Sequence, residues 1–70
     1  MSDTANRFME LAEHVAKEKG DVLKFYTEYR KSPGTWFFCI VVGKHQFAHE
    51  NLGVCVTQAR EHFGLDEKAA

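Results

Sequence analysis

The chain has 70 residues, enough for one domain, and its composition of 44% hydrophobic, 13% aromatic and 27% charged residues is that of a folded globular protein rather than a disordered one. Nine Lys plus Arg stand against ten Asp plus Glu, a formal net charge of −1, so the chain lacks the basic excess on which phosphate binding by counterion release rests, and non-specific nucleic-acid binding is disfavoured. No apolar run approaches the roughly 20 residues needed to span a bilayer, and two cysteines without a charged-then-apolar leader lead us to expect a soluble, cytoplasmic protein.

Met1 to Asn6 is a polar lead with Asp3, Thr4 and Asn6 as candidate N-caps. Phe8, Leu11, Ala12, Val15 and Ala16 then recur at helical spacing, with Arg7, Glu10, Glu13, His14, Lys17 and Glu18 on the remaining arc, which predicts an amphipathic helix. Glu13 with Lys17 and His14 with Glu18 fall at helical spacing on a solvated face. Gly20 can take the left-handed conformation that ends this helix.

Val22 to Lys31 alternates as a strand does, with Leu23, Phe25, Thr27 and Tyr29 on one side and Lys24, Tyr26, Glu28 and Arg30 on the other. Ser32-Pro33-Gly34-Thr35 reads as a tight turn, because Pro fixes φ and Gly permits φ > 0. Thr35 to Val42 is apolar at nearly every position and rich in aromatic and β-branched residues, so it is read as the central strand with both faces in need of cover. Gly43-Lys44 is a two-residue turn into a third strand, His45 to Glu50.

If both loops have two residues, Tyr29 faces Phe38, Thr27 faces Ile40 and Phe25 faces Val42, while Val42 faces His45, Ile40 faces Phe47 and Phe38 faces His49. Trp36, Phe38, Ile40 and Val42, with Phe25, Tyr29 and Phe47, then form the core side under the helices. The opposite face carries Phe37, Cys39 and Val41 between Lys24, Tyr26, Glu28 and Arg30 on one flank and Gln46, Ala48 and Glu50 on the other.

Val54 to Phe63 is read as a second helix, with Leu52 to Val56 as a short strand in the competing reading. Gly64 is its natural C-cap, Leu65 tucks back, and residues 1–5 and 66–70 are expected to fray. The expectation is a single α+β domain over residues 1–70: a three-stranded antiparallel sheet with two helices on one face, in the order α-β-β-β-α.

Phe-Met-Glu-Leu-Ala-Glu-His-Val-Ala-Lys-Glu-Lys-Gly, the Ser-Pro-Gly loop and Gln-Ala-Arg-Glu-His-Phe-Gly-Leu give this order a spacing that resembles the double-stranded-RNA-binding domain over nearly the whole chain. The resemblance implies an RNA clamp, with a lysine cluster opening the second helix and a histidine in the first loop. Here Asn51 to Cys55 stand in the first place and the loop has no histidine, so only Glu10 or Glu13 carries over.

Cys39, His45, His49 and Cys55 are residue types that zinc favours, but the register puts Cys39 on the opposite sheet face from the two histidines, and no metal or other cofactor is expected. Cys39 and Cys55 read instead as small buried apolar residues. Cys55 with His49 or His62 and Glu61 can be assembled on paper as a nucleophile, yet so small a domain rarely builds a water-excluding pocket, and no catalytic residue is assigned. The glycines stand one per joint, without a nucleotide-binding pattern.

Apolar strips rimmed by charge mark interaction sites, which makes Tyr26, Phe37 and Val41 with Lys24 and Arg30 the candidate partner-binding residues. Cover by the tail, a loop or the long stems of Lys24 and Arg30 is the competing account of that face. The reading is a non-catalytic interaction module, a regulator or inhibitor that binds a protein partner or a second copy through this sheet face or a helix. Its alternative is a nucleic-acid platform on which Tyr26 and Phe37 stack bases.

Overall fold

The computed structural model describes residues 3–66 and has the order α1 (Asp3–Glu18), β1 (Leu23–Arg30), β2 (Thr35–Val42), β3 (His45–His49) and α2 (Leu52–His62). The strands form one antiparallel sheet in the order β1-β2-β3, with both helices on one face. The α+β fold expected from the sequence is therefore present. Residues 1–2 and 67–70 of the expected fraying ends lie outside the described residues, whereas Asp3, Thr4 and Ala5 already belong to α1.

Leu11 and Val15 of α1, Ile40 and Val42 of β2, and Cys55, Val56 and Ala59 of α2 make the buried core. Phe8, Leu23, Phe47, Leu52, Phe63 and Leu65 close its margins. Two of the five residues expected on the apolar face of α1 contribute less, since Ala12 is half-buried and Ala16 is exposed.

The β2–β3 register is the expected one, with Val42 opposite His45 and Phe38 opposite His49. The β1–β2 register is displaced by two residues: Phe25 pairs with Ile40, Thr27 with Phe38 and Tyr29 with Trp36. The loop is the cause. Arg30 pairs with Thr35, so Lys31 leaves the strand and the connection is Lys31-Ser32-Pro33-Gly34, with a cis Ser32–Pro33 peptide and Gly34 donating its N–H to the Arg30 carbonyl at 2.9 Å. Because strand side chains repeat every second residue, a slip of two leaves each face with the same residues.

The second helix starts at Leu52, two residues earlier than expected, and the strand reading of Leu52 to Val56 is replaced by helix. Asn51 explains the start: its backbone is extended and its side-chain oxygen accepts the Val54 N–H at 3.2 Å. Asn51→Ala is expected to destabilise the fold by about 1 kcal/mol, read as a lower urea midpoint at unchanged slope. At the other end Gly64 has φ +78° and Leu65 donates its N–H to the Arg60 carbonyl at 2.9 Å, a Schellman closure that turns Leu65 back onto the core.

That closure delivers Asp66 to Arg60. Arg60 is buried, 8% exposed, and its guanidinium donates to both Asp66 carboxylate oxygens at 3.0 Å, to Glu10 at 3.1 Å and to the Arg7 carbonyl at 2.9 Å. Arg7 also donates to Asp66. Asp66, placed with the fraying tail by sequence, is thus clamped between α1 and α2, and the two guanidiniums, Arg60 first, hold its carboxyl below the usual range.

Candidate protein-interaction surfaces

The open face of the sheet gathers the five residues singled out from the sequence. Lys24 pairs with Val41 across β1 and β2, Tyr26 with Cys39, and Glu28 with Phe37, so Lys24, Tyr26, Arg30, Phe37 and Val41 share one surface. Part of it is sealed by its own side chains. Gln46 donates to the Tyr26 hydroxyl at 3.0 Å, bridging β3 to β1 over β2, and Cys39 beneath is fully buried. Arg30 lies 4.4 Å from the centre of the Phe37 ring while its Nε donates to Glu28 at 2.7 Å.

Phe37, Val41 and Arg30 are consequently half-buried, whereas Lys24 and Tyr26 remain exposed. Partial burial, then the neighbouring Cys39 thiol and Glu28 carboxylate, push the Tyr26 phenol above its ordinary pKa against a weaker pull from Arg30. The phenol stays neutral and able to hydrogen-bond throughout the physiological range.

The largest exposed aromatic surface lies on the other side. Phe25, Tyr29 and Trp36, expected in the core, are 44%, 52% and 59% exposed. The first hairpin outruns the rest of the fold: β2 begins at Thr35, but its ladder with β3 starts only at Phe38. Continuing that ladder would place Asn51 opposite Trp36, and Asn51 is already the cap of α2. The outer end of the hairpin therefore projects past the helices.

Its aromatic rings support one another. Tyr29 and Trp36 meet edge to face at 5.5 Å, Phe25 stacks over Phe38 at 6.3 Å, and Phe8 of α1 meets Phe25 edge to face at 5.5 Å. Where the helix ends approach the sheet, Thr4, Ala5, Phe8, Phe25 and Leu52 line an open cleft of about 210 Å³ without polar surface. Such a surface can hold an apolar side chain and offers few groups for bond-making chemistry.

The residues considered for metal or covalent chemistry are dispersed. Cys39 is on the open face; His45 and His49 are on the helix side, where His49 Nδ1 accepts the Asn51 N–H at 2.9 Å and His45 packs 4.3 Å from the His62 ring. The single proton of the Cys55 thiol is shared between the carbonyls of Phe38 and Phe47, 3.3 and 3.4 Å away, and burial raises its pKa, the reverse of what a thiolate nucleophile requires. Among the described residues no three His, Cys, Asp or Glu side chains converge on a common point. Nor is any described helix long and apolar enough to cross a membrane.

The order of elements and the antiparallel sheet are consistent with the topology of the double-stranded-RNA-binding domain. No family model, curated protein or solved structure matches the chain.

Proposed function

We propose that this chain is a non-catalytic protein-interaction module, a small regulator or inhibitor that docks on a protein partner through the aromatic end of its β1–β2 hairpin. The observation that carries the reading is the exposure of Tyr29 and Trp36 on the projecting end of the hairpin, with the exposed Phe25 lining an apolar cleft nearby. Tyr and Trp are the types that dominate interface energetics, and their two-torsion side chains lose little entropy on docking. On the opposite face Tyr26, Phe37, Val41, Lys24 and Arg30 supply a second, flatter contact area.

Selection of a displayed peptide library on the immobilised chain tests this. Recovered binders are expected to lose about tenfold or more of their affinity on a Y29S/W36S variant, as removal of two hot-spot aromatics requires. Binders indifferent to that variant would contradict the proposal.

A second reading, a nucleic-acid-binding domain of the double-stranded-RNA type, is favoured by the element order. It requires binding of duplex or single-stranded RNA or DNA that weakens steeply between two salt concentrations. An absence of binding at the lower salt would remove it.

A further inference from the structure

The sheet has two edges and they are built differently. β3 spans His45–His49 and lies beside α2, which packs on it through Cys55 and its C-cap residue Phe63. β1 is longer, Leu23–Arg30, and among the described residues no strand pairs with its outer edge. It holds no proline to block pairing, and its backbone groups on that side are open to another strand.

The helix above this edge is uncharged on the same side. Arg7 and Glu10 of α1 reach Asp66 and Arg60, which marks the flank turned toward α2, while Leu11 and Val15 point into the core. At 100° per residue the flank turned away from α2 carries Ala5, Met9, Ala12 and Ala16. Met9 is 56% exposed and Ala5 and Ala16 are exposed. One side of the molecule thus combines an open strand edge, a helix flank of small apolar residues and the exposed ring of Phe25.

The occupant that fits is set by the charges of β1. Two antiparallel copies of one strand are related by an axis normal to the sheet, so a residue faces its own copy at the centre and like faces stay together. Centred on Thr27, Lys24 would oppose Arg30 of the other copy twice; centred on Glu28, two carboxylates would meet. Centred on Phe25, only Leu23 to Thr27 overlap and no charges pair. Centred on Tyr26, the overlap runs from Leu23 to Tyr29, and each Lys24 faces the other copy's Glu28.

We infer that a second copy of this chain docks on the β1 edge and the α1 flank about a two-fold axis at Tyr26, extending the sheet across the dimer. The inference rests on the reading of the domain as a protein-binding module and names one partner for it. Lys24 supplies charge to the Glu28 oxygen not used by Arg30, and the exposed Phe25 and Met9 are covered.

Sedimentation velocity of the full chain, over a series from micromolar to submillimolar concentration, tests the inference. The chain is expected to form dimers, and K24E, which sets two pairs of carboxylates against each other, to weaken dimerisation by at least about tenfold. K24E/E28K restores opposite charges and is expected to recover the dimer. Lys24 and Glu28 are surface residues, and an unchanged far-ultraviolet circular dichroism spectrum verifies the fold of each variant. A monomer at every concentration, a dimer indifferent to K24E, or a double variant as weak as the single one would overturn the inference. W36S leaves this dimer intact while it removes the proposed partner-binding aromatic, so the two proposals fail separately.

Discussion

Ile40→Ala is expected to destabilise the fold by about 3 to 4 kcal/mol, lowering the melting temperature by roughly 15 to 25 °C, whereas W36S costs only about 1 kcal/mol. Both residues belong to one apolar strand and face the same side of it. Ile40 is fully buried between Phe25 and Phe47 in the ladder and under both helices, so truncation leaves a cavity that its neighbours fill only in part. Trp36 is 59% exposed and loses chiefly its edge-to-face contact with Tyr29. A domain of this length has about 4 to 10 kcal/mol of total stability. I40A should therefore leave a population of unfolded chains measurable at 37 °C, and W36S a folded protein with an altered surface. Thermal unfolding followed by circular dichroism separates the two, and equal losses would contradict a division of β2 into a structural inner half and a functional outer half.

The strand itself was legible in the sequence; that division was not. Alternation and the glycines at four joints, Gly20, Gly34, Gly43 and Gly64, identified the elements and their order, Gly53 lying instead in the first turn of α2, and the period of two protected the face assignment against the two-residue slip in the first hairpin. The slip arises because a two-residue Pro33-Gly34 loop would keep Lys31 paired in the first strand, whereas the observed ladder ends at Arg30 opposite Thr35 and leaves a four-residue loop. Burial within a face depends on where the helices lie over the sheet, which periodicity does not encode. Hence Phe25, Tyr29 and Trp36 looked like core, while Cys39 on the open face is buried beneath the Tyr26–Gln46 bridge. A signal for Trp36 existed in the sequence: the third strand runs out at the Asn51 cap before its ladder can reach that residue.

Arg60 is the residue that sequence reading passed over entirely, because its partners stand 50 and 53 positions away at Glu10 and Arg7 and beyond the helix at Asp66. Replacing it with methionine keeps an unbranched apolar stem of similar reach and removes the five-donor fork. The Asp66 carboxylate then keeps only Arg7, and the Arg7 carbonyl and Glu10 lose their donor. Arg60→Met is expected to cost about 2 kcal/mol, toward the lower end for a paired charge at a position this buried, because Glu10 and Asp66 regain water. The loss should also change the shape of the acid limb. The folded state holds the Asp66 carboxyl below its unfolded value, so its contribution is complete above about pH 4, where the unfolded chain's carboxyl titrates. It is lost as pH falls through the depressed folded value. Urea unfolding of the wild type from neutral pH to below pH 3 should therefore show stability falling below about pH 4, and R60M should fall less over the same window. An R60M curve parallel to the wild type would mean that Asp66 does not draw its depressed pKa from Arg60, and that the tail closes on the helices by the Gly64–Leu65 turn alone.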